Sequence, residues 1–183
     1  MSAFTFLRTV VLQGAFAALL CGALSGCASY SGSSLKPGAS TQADARSVMG
    51  EPAAKHAFAA GAPYVESWEY PRGPFGRHTF MLRFDAQGKL NAIDQVLTVG
   101  NVARIRIGED GRTEVSRLLG RPATVFPLRG GGEAWDYAAY ANDGQMRKIR
   151  LIVNFDERGR ASSAGESYDF EEFSPNGGAG SSL

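Results

Sequence analysis

The sequence predicts an α+β fold built from two similar units in tandem, and three observations support this prediction. The only two tryptophans lie in matching stretches, "ESWEYP" (residues 66–71) and "EAWDYA" (residues 133–138), at an offset of 67 residues. Residues 35–52 align without a gap with residues 105–122, at an offset of 70. In each unit a helical pattern precedes stretches of alternating apolar and polar residues. Self-similarity at a nearly constant offset is typical of repeated structural units.

Each unit is expected to begin with a short helix that ends at a Gly-x-Pro sequence. In the first unit, residues 35–98, Thr41 followed by Asp44 fits a capping box. In the second unit, residues 105–169, Asp110 is the expected N-cap. Glycine suits a left-handed C-cap, and the proline two residues later blocks continuation of the helix. The apolar positions at helical spacing are Ala45, Val48, Met49, Val115, Leu118 and Leu119, and the stop signals are Gly50, Pro52, Gly120 and Pro122.

Three antiparallel strands are expected after each helix, with one apolar face. The tryptophan-containing stretch comes first, "HTFMLRF" or "KIRLIVNF" comes second, and a turn, "DAQG" or "DERG", leads to the third. Residues 53–60 are expected to add a second helix, residues 123–132 to be irregular, and residues 141–145 to form a turn. Neither unit can bury its apolar face alone. We therefore expect the two meanders and their helices to share one core, which Trp68 and Trp135 help to fill.

The N-terminus is typical of a lipoprotein leader. It has one charge, Arg8, and its apolar run of 15 residues, Val10 to Leu24, is shorter than the roughly 18 of a membrane-spanning helix. Small residues end the run in "LSGC", which resembles a bacterial lipobox and implies cleavage before Cys27 and its acylation. An ordinary secretory signal is the alternative. Because Ala28 rather than aspartate follows, the expected location is the outer membrane, with the domain on its periplasmic face.

The segments outside the two units are expected as follows. The leader is residues 1–26, the acylated cysteine and a flexible tether occupy residues 27–34, and a disordered tail spans residues 170–183.

Composition limits the function further. After the leader, 18 basic and 18 acidic residues balance, so no long-range field favours nucleic acid. Cys27 is the only cysteine after the leader, so the fold is expected to rest on its core without a disulfide. Attachment to the membrane is expected through the lipid alone.

The repeated pattern resembles that of a known family. The pattern is a glycine, then a helix ending in Gly-x-Pro, then Trp-x-Tyr and Phe-Asp-x-x-Gly. It resembles the pattern of the SmpA/OmlA family, which is the family of BamE. The duplicated form is similar to the β-lactamase-inhibitor-like fold. This resemblance covers the chain between tether and tail, and it implies an outer-membrane lipoprotein that binds envelope proteins. BamE itself has one copy of the unit, whereas this chain has two.

The sequence contains no pattern expected of an enzyme, a metal site or a cofactor site. Its two histidines, His56 and His78, have no cysteine or G-x-S-x-G serine near them, and no H-E-x-x-H or C-x-x-C spacing occurs. Charged residues of the expected open sheet faces are more often solvated than functional. They are nevertheless the candidates for partner binding: Glu69, Arg83, Asp136, Lys148 and Arg150.

Two functions fit these observations. The first is a non-enzymatic lipoprotein that binds an envelope protein in outer-membrane protein assembly or envelope integrity, with the β-barrel assembly machine as one candidate partner. The alternative is a periplasmic inhibitor or binding module whose open sheet face binds an enzyme or a small ligand.

Overall fold

Two four-stranded antiparallel sheets and three short α-helices make up the described part of the chain. The computed structural model describes residues 28–59, 61–141 and 146–168. The helices are α1 (Gln42–Met49), α2 (Val99–Val102) and α3 (Arg112–Leu119), with a 3-10 helix at Pro74–Gly76. The first sheet contains β1 (Ala54–Ala57), β2 (Glu66–Arg72), β3 (His78–Phe84) and β4 (Leu90–Gln95) in that order. The second contains β5 (Thr124–Pro127), β6 (Glu133–Tyr140), β7 (Lys148–Phe155) and β8 (Ala161–Tyr168). The α+β class predicted from the sequence is confirmed.

Each sheet has one strand more than the sequence analysis expects. The helix expected within residues 53–60 is wrong, because Ala54–Ala57 pair with β2 along an edge, Lys55 opposite Trp68. Residues 123–132 are not wholly irregular either, since Thr124–Pro127 pair with β6. The high helix propensity of alanine is worth only tenths of a kcal/mol per residue, and an available sheet edge overrides it. A proline is tolerated at the end of such an edge strand.

The helix boundaries follow the predicted signals, with one exception. Thr41 and Asp44 form the predicted capping box, in which the Thr41 amide donates to Asp44 Oδ2 over 2.8 Å. Asp110 is not the N-cap of α3, because the helix begins one residue later and Gly111 takes that position. The Asp110 carboxylate instead accepts hydrogen bonds from Arg106, while Glu114 accepts one from the Gly111 amide over 2.9 Å.

The two units repeat their internal contacts closely. The Trp68 and Phe84 ring centroids are 4.8 Å apart, and so are those of Trp135 and Phe155. The hydroxyls of the two core tyrosines donate to the carbonyls of the glycines that end the helices, over 3.1 Å in the first unit and 3.2 Å in the second. These tyrosines are Tyr70 and Tyr137, which bond to Gly50 and Gly120.

The core is divided in two rather than shared, which corrects the sequence-based expectation. One cluster lies between α1 and the first sheet and includes Trp68, Tyr70 and Phe84. The other lies between α3 and the second sheet and includes Trp135, Tyr137 and Phe155, together with residues of α2 and its flanks. Both indole rings are therefore buried, as predicted. On the core side of the sheets, α1 covers the first sheet and α3 covers the second.

The segment before the first unit contacts that unit, although residues 27–34 are expected to be a flexible tether. The Ser29 amide donates to the Val48 carbonyl over 2.6 Å, and Arg72 Nε donates to the Tyr30 carbonyl over 3.1 Å. The expected leader, Cys27, the tail at 170–183 and most of the turn at 141–145 lie outside the described residues. None of the helices described is long and apolar enough to cross a membrane.

Candidate partner-binding face

The sheet faces that point away from the two cores are equivalent in register but differ in what lies on them. Glu69 pairs with Met81, and Asp136 pairs with Ile152 at the same place in the second sheet. We call the outer side of the first sheet the covered face; its residues are His56, Ser67, Glu69, Arg77, Thr79 and Met81. The equivalent residues of the second sheet, in the same order, form the uncovered face: Phe126, Ala134, Asp136, Lys148, Arg150 and Ile152.

The end of α3 lies on the covered face. The Arg121 amide, just past the helix, donates to Glu69 Oε1 over 3.2 Å, and Glu69 Oε2 lies 2.9 Å from His56 Nε2. The helix comes so close that a Cβ atom added to Gly120 would lie 3.0 Å from the Glu69 Cδ atom. Glu69 is only 2% exposed and Met81 is fully buried. The expectation that Glu69 lies on an open sheet face is therefore wrong, because it belongs to the interface between the units.

Two arginines of the first unit, one just before β3 and one within it, are also occupied within the chain. Arg77, 4% exposed, donates from Nη1 to the Ala139 carbonyl of β6 over 3.2 Å. Arg83 pairs with Asp94 over 2.8 Å and donates to the Tyr64 hydroxyl, and its side chain is 13% exposed. Neither guanidinium faces open solvent, so the predicted candidate Arg83 lies in a partly buried ion pair.

Three of the five predicted candidates come together on the uncovered face. Arg150 donates to both carboxylate oxygens of Asp136, from Nε over 2.7 Å and from Nη2. Lys148 is exposed at the start of the same strand. The two apolar side chains beside them are Phe126, which is 49% exposed, and the half-buried Ile152. Asp136 itself is only 6% exposed, so the expectation that it lies on an open sheet face is wrong as well, because Arg150 covers its carboxylate. The accessible part of the face is its rim, which combines Lys148 with apolar area.

Phe126 is the functional candidate that the sequence analysis does not identify. Residues 123–132 end in three glycines, and this composition favours an irregular segment. Only the pairing of Phe126 with Ala134 places its ring on the same face as Asp136. The nearby Val125 and Leu128 are also accessible, at 47% and 37% exposure. The run of apolar residues in "TVFPL" is the signal that could have indicated an edge strand.

The histidines are used structurally in the described part of the chain. His56 contacts Glu69, and His78 Nδ1 lies 2.7 Å from the Tyr30 hydroxyl, while burial lowers the pKa of His78. No group of three or more His, Cys, Asp or Glu side chains within the described ranges could hold a metal ion. The glutamates of the repeated motif, Glu66 and Glu133, each bind the tryptophan of their own unit. They do not form an acid–base pair.

A cavity of about 370 Å³ lies where the two units meet. Its lining includes Glu69, Thr79, Leu97, Arg121 and Tyr137. Burial raises the pKa of Tyr137 well above its ordinary value, and the nearby Glu69 raises it further. The Tyr137 hydroxyl donates to the Gly120 carbonyl within its own unit. The cavity belongs to the packing of α3 on the first sheet.

Comparison with known proteins identifies the second unit. Residues 95–165 match the family model of the outer membrane protein assembly factor BamE domain. The match begins at the last residue of β4 and extends into β8, so it contains α2, α3 and most of the second sheet. No curated protein and no solved structure matches the chain. The resemblance predicted from the sequence is thereby confirmed for the second unit, and the family described is an assembly factor rather than an enzyme.

Proposed function

Since residues 95–165 match the family model of the BamE domain, we propose that the protein is a lipoprotein of outer-membrane protein assembly that binds an envelope protein through the uncovered face. The second unit carries both the family match and this face. Catalysis has no part in the proposal, because the face offers contact area and charge but no acid–base pair.

The observation that carries the proposal is the difference between two equivalent faces. In the first unit, α3 buries Ser67, Glu69 and Met81 almost completely. In the second unit the equivalents Ala134 and Asp136 are also buried, at 8% and 6% exposure, but Phe126 at the edge of the face remains 49% exposed and Ile152 is half-buried. Accessible aromatic side chains beside paired charges are typical of protein interfaces, in which aromatic residues and arginine are enriched. The chain itself covers the equivalent face of the first unit. The accessible side chains at the same place in the second unit therefore support its use for binding a partner.

Membrane attachment is proposed through acyl chains on Cys27. The contacts of Ser29 and Tyr30 with the first unit bear on how closely the domain would be held, because Ser29 follows Cys27 by two residues. Two extended residues span about 7 Å. The first unit of the anchored protein is thus expected to lie against the periplasmic surface of the outer membrane, with the second unit joined to it through α3.

The binding role is tested with a matched pair of variants. Phe126 and Ile107 have similar exposure, 49% and 52%, but only Phe126 lies on the uncovered face. We expect the full-length protein to co-purify with a component of the outer-membrane assembly machinery from solubilised envelopes. Phe126→Ser should reduce that recovery at least fivefold, whereas Ile107→Ser should leave it unchanged. Reproducible recovery of no assembly component by the unaltered protein would remove the assembly role.

The anchor is tested separately. Mass spectrometry of the N-terminal peptide is expected to show acyl chains on Cys27. Cys27→Ser should abolish this modification and leave the folded domain outside the outer-membrane fraction. An unmodified Cys27 in the mature protein would contradict the proposed lipid attachment without affecting the binding proposal.

A further inference from the structure

We propose that β8 accepts an extended peptide segment of a partner protein as a fifth strand of the second sheet. The segment that fits has a basic side chain on the side of Glu166 and a large apolar side chain on the side of Gly165. β8 lies at the opposite edge of the sheet from β5, which carries Phe126. The inference therefore goes beyond the proposed function and does not depend on it.

The two sheets have four edge strands, and three of them are blocked. β1 has four residues and lies beside α3, with which it lines one groove. β5 also has four residues and ends in Pro127, which has no N–H to donate. β4 carries the charged Asp94, which pairs with Arg83 over 2.8 Å. Short length, proline and charge are the usual devices that keep edge strands from pairing with other chains.

β8 lacks these devices. It is eight residues long, contains no proline and has a single charged residue, Glu166. Helix α2 contacts β8 but leaves most of it accessible. The exposed residues are Ser162, Ser163, Gly165, Glu166 and Ser167. A long and accessible edge strand with one charge and no proline is the kind of strand to which another strand adds.

The main chain of β8 is bonded on its outer side at the first residue. The Ala161 amide donates to the Asp110 carbonyl over 2.9 Å, and the Ala161 carbonyl accepts from the Gly108 amide over 2.8 Å. Among the residues that the structure describes, no backbone group outside the sheet bonds to the main chain of β8 beyond Ala161. Alternate residues of an edge strand direct their N–H and C=O groups away from the sheet. The rest of β8 therefore offers a row of main-chain donors and acceptors to an extended segment.

Gly165 determines one side of that segment. β4 and β8 pair with their neighbours in the same register, so Gly165 opposite Ile152 corresponds to Asp94 opposite Met81. The backbone does not require this glycine, because its φ is not positive. A Cβ atom added to Gly165 would meet nothing within 4 Å, and the neighbouring Ile152 is only half-buried. A large apolar side chain opposite Gly165 on an added strand would lie across the glycine against Ile152.

Glu166 determines the other side. It pairs with Leu151, whose side chain belongs to the core, so Glu166 leaves the sheet on the core side. Glu166 is exposed, and within the described ranges no cation pairs with it. Successive residues of an added strand also point to opposite sides. The occupant is therefore an extended segment in which a basic residue, opposite Glu166, is adjacent to a large apolar residue.

Hydrogen exchange of the purified full-length protein tests the proposal with a synthetic peptide. The peptide has about ten alternating threonine and valine residues, with one phenylalanine and one lysine adjacent at its centre. We expect an excess of this peptide to slow the exchange of alternate amides within residues 162–168 by about tenfold or more. N-methylation of the peptide residues whose N–H groups face β8 should abolish the effect. N-methylation of the other alternate residues should preserve it.

Gly165→Asp is the matched variant, because it places on β8 the residue that β4 has at the equivalent position. It sets a carboxylate against the phenylalanine of the peptide and should remove the protection. Ser47→Asp adds the same charge to an exposed residue of α1 and should leave the protection unchanged. Circular dichroism establishes that each variant is folded. If Gly165→Asp unfolds, Glu166→Lys provides the test, since it should shift the preference to a peptide with glutamate in place of lysine.

The opposite results are equally specific. Slow exchange of the outward amides of β8 before peptide is added would show that this chain or a second copy already occupies the edge, and would overturn the partner segment as occupant. Unchanged exchange in excess peptide, or equal protection by the two N-methylated peptides, would overturn strand addition. None of these results alters the recovery of an assembly component that depends on Phe126, so the proposed function stands or fails separately.

Discussion

The indole nitrogen of Trp135 donates a hydrogen bond to Oε1 of Glu133, 2.7 Å away and two residues earlier on the same strand. In the first unit Trp68 and Glu66 repeat this contact at 2.6 Å. Each glutamate also accepts a hydrogen bond from the first residue of its unit's helix, which is Gln42 in the first unit and Arg112 in the second. The repeated Glu-x-Trp sequence therefore joins helix to sheet within a unit, and its recurrence reflects a repeated fold rather than a catalytic pair.

Glu133→Ala is expected to destabilise the protein. The substitution leaves the nearly buried Trp135 N–H without its acceptor and removes the carboxylate that pairs with Arg112 over 2.6 Å. Loss of a hydrogen bond to a charged group costs about 1.5–3 kcal/mol of unfolding free energy. Urea denaturation followed by tryptophan fluorescence measures this change. Glu157→Ala, at an exposed glutamate in the following hairpin turn, is the control, and equal effects of the two substitutions would contradict the role of Glu133.

The same glutamate is expected to contribute to acid sensitivity. The hydrogen bond from Arg112 lowers the pKa of Glu133 below its ordinary value of 4.5, and the hydrogen bond from Trp135 lowers it further, although burial opposes both. Because the folded-state pKa is the lower one, this stability is present above the unfolded-state pKa and is lost as pH falls through the folded-state value. Glu133→Gln should therefore flatten the dependence of unfolding free energy on pH between about pH 5 and pH 3. If the dependence of unfolding free energy on pH were unchanged in this variant, other carboxylates would account for the loss of stability at acidic pH.

Local rules predict much of each unit. The capping box at Thr41 and the Gly-x-Pro sequences predict both helix ends, because capping and chain termination act over a few residues. Strand alternation places Trp68 and Trp135 in the cores for the same reason. Edge strand β1 is missed because its alanines favour a helix when considered without the sheet edge that pairs with them.

The covering of the first sheet could not be predicted from such rules. Glu69 lies at a polar position of an alternating strand, where an acid is usually solvated. Its burial depends on the Arg121 amide, 52 residues away along the chain, and on His56 from an unexpected strand. Which of two equivalent faces is covered follows from how the units dock, and a comparison of the repeats alone does not contain that information. The same docking gives Glu69 and Asp136 different surroundings, although their sequence contexts match.

Gly50 and Gly120 offer a direct test of that docking. Both have φ above 80° with extended ψ, a region almost restricted to glycine, so alanine at either position should cost about 1–3 kcal/mol. Gly120→Ala should cost more than Gly50→Ala, because its Cβ would lie 3.0 Å from Glu69 Cδ and 3.2 Å from Thr79 Cγ2. Overpacking of this kind typically adds about 1–3 kcal/mol. Thermal or urea unfolding of the two variants measures the difference, and equal losses would show that α3 is not packed tightly on the first sheet.

Arg77 and Lys148 provide a second matched pair, because they occupy equivalent positions on the covered and uncovered faces. Arg77 is 4% exposed, donates to the Ala139 carbonyl across the unit boundary and lies 5.7 Å from the Tyr140 ring centroid. Arg77→Ala leaves a buried carbonyl without that donor and opens space between the units, which should lower the unfolding free energy by about 1–3 kcal/mol. Lys148→Ala removes an exposed side chain at the rim of the uncovered face, and its effect on stability should be too small to measure. In binding experiments Lys148→Ala should reduce partner binding more than Arg77→Ala does, since Lys148→Ala alters the surface offered to a partner. If Lys148→Ala destabilised the isolated protein as strongly as Arg77→Ala, the second face would already be covered within the chain, and it could not be the partner-binding surface.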